Sequence, residues 1–350
     1  MKRIATPKKR QKPPVLLTRD QFREQVFARD RHTCVFCDQK AVDSHHIIER
    51  RLFDDHGYYL ENGASVCEKH HLECEMTWIT VEQVREACGI SRIVVPDYFY
   101  EDDQFDKWGN CFLPSGLRVK GELFLDPSVQ KILRKGGVLD QFTDLVKYPR
   151  TMHLPWSQGM HDDDRMIRDL SAFIGKRVVV TEKMDGENTT LYTHATHARS
   201  VDGRHHYSRD WVKNFWAKIK HNIPEGWRVC GENLYAEHSI RYKLKSYFQG
   251  FSIWTEDNFC LSWDDTLEYF ELLGVEPVKE KYRGVFDEKA IRALYQDNDW
   301  GTCEGYVVRL EESFHISQFR KCVAKFVRKN HVQTGKHWLY GRQVEKNELV

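Results

Sequence analysis

The stretch RVVVTEKMDGEN, residues 177–188, places a lysine at the end of a Val-rich run and directly before a glycine turn. A β-branched run bounded by turn residues predicts a strand. Desolvation at the end of a buried strand would lower the pKa of Lys183, and a nucleophilic lysine must bring that value down from about 10.4. Gly186 lets the backbone turn tightly and leaves room for a ligand, while Asp185 and Asn188 can hydrogen-bond the turn or the ligand. Alone, a KxDG tetrapeptide is more typical of a surface turn.

Short runs rich in Val, Tyr and Phe recur downstream of this stretch and predict further strands. They are residues 227–233, 250–254, 304–310 and 322–327. Helical patterns lie between them at residues 209–220 and 263–274, and the second has an Asp-rich first turn and stops at Gly274. The alternation predicts an α+β fold.

The length of 350 residues suggests two domains. Composition divides the chain into a basic tail at residues 1–18, a Cys/His-rich segment at 19–85, an intermediate region without an assigned role at 86–145, and a β-rich segment at 146–350. The tail is expected to be disordered, although it could also contact phosphates or act in localisation. The chain shows neither an apolar run of membrane-spanning length nor a signal-peptide pattern, so we expect a cytoplasmic protein without a membrane partner.

Four residues of the Cys/His-rich segment have the spacing of a structural metal site. They form two short motifs, Cys34-x-x-Cys37 and Cys67-x-x-His70. Two such knuckles on separate turns suit tetrahedral Zn²⁺. A disulfide framework is not expected among the ten cysteines of a chain of this size without an export signal.

The β-rich segment resembles the covalent nucleotidyltransferases, and among them the phage and bacterial ATP-dependent RNA ligases, over roughly residues 146–338. The motifs EKMDGEN, HARS, GENLY, GFSIW, EGYVVR and AKFV occur in the family's order, and the segment at residues 147–157 also looks like one that precedes the nucleophile. The resemblance implies a fold of antiparallel sheets with flanking helices. It also implies that ATP forms a covalent AMP adduct on a lysine and that Mg²⁺ or Mn²⁺ assists.

The resemblance also assigns roles to individual residues. By position they are Lys183 as nucleophile, Arg199 on phosphate, Glu232 on the ribose, Phe251 on adenine, Glu304 on the divalent metal and Lys325 on the triphosphate, with Asp185, Gly186 and Asn188 lining the nucleotide site. The family often has a second lysine in its last motif. Here that position is Val327, so Arg328 or Lys329 would supply the second cation.

RNA is the expected substrate for two reasons. Only residues 326–350 follow Lys325 of the last motif, and this segment is too short for the OB-fold domain of most DNA ligases. The first motif also ends in Asn188 rather than arginine. Action on DNA or on an RNA/DNA hybrid stays open because the phosphate chemistry is the same. The implied product joins 5′-phosphate and 3′-hydroxyl ends through an AMP-capped 5′ end, which suits RNA repair.

The Cys/His-rich segment resembles the HNH endonucleases, small ββα units with a zinc-stabilised core, over roughly residues 19–78. The resemblance implies that His46 is the general base, that His45 and His71 bind a catalytic divalent cation, and that Asn62 orients the loop bearing the base. The family often has a further histidine where this chain has Glu75, which could still bind the metal. Cleavage, or binding of nucleic acid without cleavage, both stay open, as does a nuclease with a regulatory ligase-like domain.

Overall fold

The computed structural model describes residues 13–100, 103–160, 164–201, 206–295, 303–329 and 345–350. The chain divides into two compact units, Met1–Asp144 and Leu145–Val350. Most of the tail predicted to be disordered, residues 1–12, lies outside the described residues. None of the described helices has the length and apolar character needed to cross a membrane.

The first unit is built from short elements. Its helices are α1 (Arg19–Arg29), α2 (Glu68–Glu75), α3 (Val81–Ala87) and α4 (Pro127–Lys135). Its strands are β1 (Asp43–His46), β2 (Gly63–Val66), β3 (Gln104–Phe105), β4 (Cys111–Phe112), β5 (Arg118–Val119) and β6 (Phe142–Thr143).

A β1–β2–α2 arrangement forms the centre of the first unit. The two strands pair antiparallel, with Asp43 opposite Val66 and His46 opposite Gly63, and α2 begins directly after Cys67. Apolar residues that follow β1 are fully buried with those of β2, and Phe99 from the intermediate region belongs to the same core. Part of the intermediate region, from Cys88 to Leu123, therefore contributes to the hydrophobic core of the Cys/His-rich segment.

The second unit carries most of the β-structure. Its strands are β7 (Met152–His153), β8 (Arg177–Lys183), β9 (Glu187–Leu191), β10 (Thr196–Ala198), β11 (Arg228–Asn233), β12 (Lys243–Leu244), β13 (Phe248–Trp254), β14 (Phe259–Cys260), β15 (Glu276–Pro277), β16 (Glu280–Val285), β17 (Gly305–Leu310), β18 (Phe314–His315), β19 (Val323–Val327) and β20 (Glu348–Leu349). Its helices are α5 (Asp210–Ile219), α6 (Trp263–Leu273), α7 (Glu288–Ala293) and α8 (Phe319–Cys322).

Two sheets organise this unit within the described residues. One has the order β16-β8-β17-β19-β7, and the other has the order β10-β9-β11-β13-β14-β18 with β15 beside β13. Most neighbouring strands run antiparallel, but β7 pairs parallel with β19 and β15 pairs parallel with β13. The turn at residues 184–186 leads from β8 in the first sheet to β9 in the second. The mixed α+β fold agrees with the prediction.

The predicted helix at residues 263–274 is confirmed as α6, which spans Trp263–Leu273 and ends before Gly274. The Ser262 side chain caps the first turn by accepting from the backbone N–H of Asp265, and Gly274 ends the helix in the left-handed conformation at φ 67°. A glycine adopts that conformation without the steric cost that a side chain would bring.

Candidate active site

Lys183 ends β8 at the point where the two sheets meet. The residues Val178–Val180 before it are fully buried, and Lys183 itself lies opposite Gly305 of β17. Its Nζ donates to Oε2 of Glu304 at 2.5 Å, and the Glu304 side chain is only 5% exposed. Lys183, the predicted nucleophile, and Glu304, the predicted metal-binding carboxylate, are therefore in direct contact.

The charges around Lys183 hold it as an ammonium. Burial disfavours the charged amine, but the neighbouring carboxylates, Glu304 foremost, outweigh this effect, and the pKa of Lys183 lies above its usual value. The sequence-based expectation of a lowered pKa is therefore wrong for this structure. The end of β8 is buried, but it also lies near carboxylates, and Glu304 and Glu232 come from distant segments of the chain.

The ionisation of the Glu232 carboxyl is strongly altered in this site. Burial raises the pKa of its carboxyl to about 8, and the nearby carboxylates Glu304 and Asp185 raise it further, while Lys183 acts in the opposite direction. Carboxylates that cannot all ionise together share their protons. At neutral pH Glu232 is mostly protonated, and it can then donate as well as accept a hydrogen bond.

Asp185 and Gly186 shape the turn after Lys183. Oδ2 of Asp185 accepts from the backbone N–H of Ser239 at 2.9 Å and from its hydroxyl at 2.5 Å, and the Asp185 N–H donates to the Tyr242 hydroxyl at 3.0 Å. A Cβ at Gly186 would lie 2.6 Å from the Asn233 carbonyl oxygen. Glycine is therefore needed for the close approach to β11.

Asn188 keeps an available polar atom beside this turn. It lies on β9 opposite Glu232, and its Oδ1 is buried without a hydrogen-bond partner among the described residues. Since buried polar atoms are nearly always paired, this oxygen is suited to a ligand donor. The preceding residue, Glu187, is occupied by an ion pair with Arg209, whose Nε donates to Oε2 at 2.7 Å.

Phe251 lies at a β-bulge. The register of β11 against β13 goes from Cys230 opposite Ser252 to Gly231 opposite Gly250, so Phe251 has no partner across the ladder. Bulges redirect side chains and are frequent next to active sites. Phe251 is half-buried, and the ring of Tyr148 packs edge-on against it at 5.2 Å between centroids.

Lys325 lies on β19 near the same charges. Burial lowers the pKa of Lys325 to about 8, and the positive charges of Lys183 and Arg199 contribute, while Asp164 and Glu304 act in the opposite direction. The structure thus brings Lys325 into the electrostatic environment of Lys183, and Arg199 into that of Lys325. Two such cations suit the binding of a polyphosphate.

Arg328 lies closer to the site than the other residue considered for the second cation. The Arg328 N–H donates to the carbonyl oxygen of Glu304 at 3.1 Å, and the residue is half-buried, whereas Lys329 is exposed. Val327 at the family's second lysine position is 5% exposed.

Sequence reasoning missed the counter-ion of Lys325. Asp164 Oδ1 lies 3.5 Å from Lys325 Nζ and 3.1 Å from His153 Nε2, and His153 Nδ1 lies 2.7 Å from the Ser157 hydroxyl. The acidic run at residues 162–164 was the available signal. However, nothing in that run indicates that it reaches β19.

Comparison with known proteins bears on the second unit. Residues 176–327 match the RNA ligase family model. This match supports a ligase-superfamily domain in the segment that carries Lys183, Glu232, Glu304 and Lys325. No curated protein matches the chain.

Solved structures similar to this chain include two RNA ligases. Naegleria gruberi RNA ligase with PPi is 17% identical with a TM-score of 0.40, over 53% of this chain and 56% of that one. An archaeal ATP-dependent RNA ligase is 16% identical with a TM-score of 0.36, over 53% of this chain and 48% of that one. This chain thus spans about half the length of the ligases it matches.

The predicted zinc ligands of the first unit come together. The ligand atoms of Cys34, Cys37, Cys67 and His70 all lie within 4.8 Å of one another. The His70 Nδ1 is 3.3, 3.6 and 3.2 Å from the sulfurs of Cys34, Cys37 and Cys67. Ligand atoms around a tetrahedral zinc are separated by about 3.5–3.8 Å, so the donor set fits Zn²⁺.

The proposed divalent-metal residues form a second cluster. Ligand atoms of His45, His71 and Glu75 lie within 4.8 Å of one another. The His71 Nε2 is 3.2 Å from Oε1 of Glu75 and 3.4 Å from Oδ2 of Asp43. This mixed imidazole and carboxylate set fits a divalent cation.

The structure keeps His46 and Asn62 out of this second cluster. The His46 ring stacks on Phe22 at 4.5 Å, and burial together with Lys107 lowers the pKa of His46 to about 3. The Asn62 amide donates to the Ile48 carbonyl at 3.0 Å, and its oxygen accepts from the Ile48 N–H at 2.9 Å. Asn62 thus binds the backbone shortly after His46.

Proposed function

We propose that this protein is an ATP-dependent RNA ligase that uses Lys183 as its nucleophile. The observation that carries the proposal is the contact between Lys183 Nζ and Glu304 at 2.5 Å, beside Glu232 and Lys325, within residues 176–327 that match the RNA ligase family model. A surface turn would not collect these residues, which lie in or next to four different strands, in one charged site.

In the proposed first step, the Lys183 amine attacks the α-phosphorus of ATP. A nitrogen–phosphorus bond forms, the bond to the bridging oxygen breaks, and pyrophosphate leaves with that bond's electron pair. The amine must first give up the proton that its carboxylate neighbours retain. Glu304 lies in contact with this amine and is the nearest acceptor in the structure.

The remaining residues would bind and position the nucleotide. Glu232 would hold the ribose hydroxyls, Phe251 would offer an aromatic face to adenine, and the free Asn188 oxygen would accept a donor of the ligand. Lys325, with Arg199 and Arg328, would bind the triphosphate and stabilise the charge on the leaving pyrophosphate. Mg²⁺ or Mn²⁺ held by Glu304 would add charge stabilisation when bound.

In the later steps, the AMP would pass to the 5′-phosphate of RNA, and a 3′-hydroxyl would attack that phosphate and release AMP. Positioning and charge stabilisation supply most of the acceleration in such transfers. The joined ends suit RNA repair.

We assign the first unit a zinc-stabilised, HNH-like fold that binds nucleic acid. The four zinc-ligand residues support the zinc part. The geometry of His46 favours binding over cleavage, because its ring stacks on Phe22 and it lies outside the cluster of His45, His71 and Glu75. Cleavage is the second candidate, and the convergence of His45, His71 and Glu75 supports it.

Sealing assays test the proposed activity. Purified protein with ATP and Mg²⁺ should join nicked and single-stranded RNA with 5′-phosphate and 3′-hydroxyl ends, and Lys183→Ala should not. Matched DNA and hybrid substrates distinguish the strand preference. A wild type that seals DNA but no RNA would contradict the assignment to RNA. Loss of an unligatable RNA strand would indicate cleavage, which His46→Ala should then abolish.

A further inference from the structure

A lysine from the intermediate region lies in the second metal-type cluster of the first unit. The Lys107 Nζ is 2.9 Å from Oε1 of Glu75 and donates to the His46 carbonyl oxygen at 3.0 Å. Its side chain is 6% exposed. A buried ammonium is stable only with such partners, so this placement is specific.

The hairpin loop between β3 and β4 holds Lys107 in place from inside the unit. The buried Asp106 accepts from the backbone N–H groups of Trp108 at 2.9 Å and Asn110 at 3.0 Å, and it pairs with Arg118 at 3.1 Å. These bonds fix the loop on both sides of Lys107.

Further bonds attach the same loop to the elements that carry the cluster. The Trp108 Nε1 donates to the Glu75 carbonyl oxygen at 2.8 Å, and the Glu49 N–H donates to the Lys107 carbonyl oxygen at 2.9 Å. The loop is thus bound to α2 and to the segment after β1.

The cluster otherwise has the features of a cation site. His45 is 2% exposed, and its Nδ1 has no hydrogen-bond partner among the described residues, although it lies 3.7 Å from Oε1 of Glu75. His71 approaches the same oxygen at 3.2 Å. Oε1 of Glu75, which both histidines approach, is therefore also the oxygen that the Lys107 ammonium contacts.

We propose that the Lys107 ammonium takes the place of a metal cation in this cluster, so that the ammonium and a divalent metal exclude each other. A metal bound by His45, His71 and Glu75 would share its carboxylate oxygen with a positive charge a few ångströms away in a buried site. Lys107 therefore keeps the affinity of the cluster for divalent cations low. This inference does not depend on ligation, since it concerns only the first unit.

Calorimetric titration of Mn²⁺ into the zinc-loaded full chain tests the proposal. Lys107→Gln removes the charge but retains a donor for the His46 carbonyl, so it preserves much of the local bonding. It should bind Mn²⁺ about tenfold more tightly than the wild type, because one unit charge has left the site. Lys107→Arg should bind like the wild type.

Two controls make the result specific. Lys120→Gln removes a cation from the same unit that pairs with Asp144, away from the cluster, and should leave Mn²⁺ affinity unchanged. In the background of Lys107→Gln, Glu75→Gln should abolish the gain. Equal Mn²⁺ affinity in folded Lys107→Gln and wild type, or a gain that survives Glu75→Gln, would overturn the proposal. Lys107→Met provides a second uncharged variant if the glutamine variant does not fold.

Discussion

Replacing Glu232 by glutamine should stabilise the folded protein at neutral pH, although it removes a carboxyl group from the proposed nucleotide site. The pKa of this carboxyl rises from 4.5 in its ordinary state to about 8 in the fold. Between those pH values the folded state binds a proton that the unfolded state has lost, so stability falls as pH rises through this window. Glutamine resembles the protonated carboxyl and does not titrate.

The size of the gain follows from the same shift. At pH 7 the cost of keeping Glu232 protonated is about 3 kcal/mol, at about 1.4 kcal/mol for each pH unit above the unfolded pKa. Glu232 is only partly buried, so solvent screening reduces the expected gain to about 2 kcal/mol. For a unit of this size, that gain raises the melting temperature by roughly 4–8 °C.

Thermal unfolding of wild type and Glu232→Gln at several pH values measures this effect. The difference in melting temperature should increase between pH 5 and pH 8, level off above pH 8, and nearly vanish at pH 4. Glu271→Gln, which alters an exposed carboxylate on α6, serves as the control. It should change neither the melting temperature nor its dependence on pH. A variant that melts at or below the wild-type temperature at pH 7, or a gap independent of pH, would refute the reasoning.

Three further changes have defined outcomes. Cys37→Ser should lower the zinc content measured by elemental analysis and destabilise the first unit, because structural zinc contributes directly to folding. Arg118→Met should cost about 3–5 kcal/mol in denaturant unfolding, since it leaves the buried Asp106 carboxylate without its ion pair. Gly186→Ala should reduce transfer of AMP to the enzyme and lower the free energy of unfolding by about 1–3 kcal/mol, because its Cβ would lie 2.6 Å from the Asn233 carbonyl oxygen. Unchanged AMP transfer and stability would contradict the close-packing argument.

Sequence analysis could predict those parts of the site that depend on residues close to one another in the sequence. The Val-rich run before Lys183 is a strand because β-branched side chains favour it, and β8 covers Arg177–Lys183. The zinc-type spacing and the Asp-rich start of α6 are likewise local signals. The predicted strand at residues 322–327 is one residue shorter, because Cys322 ends the short helix α8.

Contacts between distant segments could not be predicted in this way. The raised pKa of Lys183 depends on Glu304, which is 121 positions away in sequence. The sequence predicts that Asp185 bonds the turn or a ligand, but not that Ser239, 54 positions away, binds its carboxylate. Lys107 carries no motif, and only the fold brings it to the His46 carbonyl across 61 positions. Each of these effects is electrostatic or polar and arises from tertiary contact.

Covalent labelling at Lys183 tests the central claim most directly. The wild type, freed of bound nucleotide, would be incubated with Mg²⁺ and ATP labelled at the α-phosphate, and labelled peptides would be mapped by mass spectrometry. We predict an AMP adduct on Lys183 that Lys183→Ala lacks and that pyrophosphate reverses. A folded wild type that takes up no label, or one that carries the label on another residue, would contradict the account.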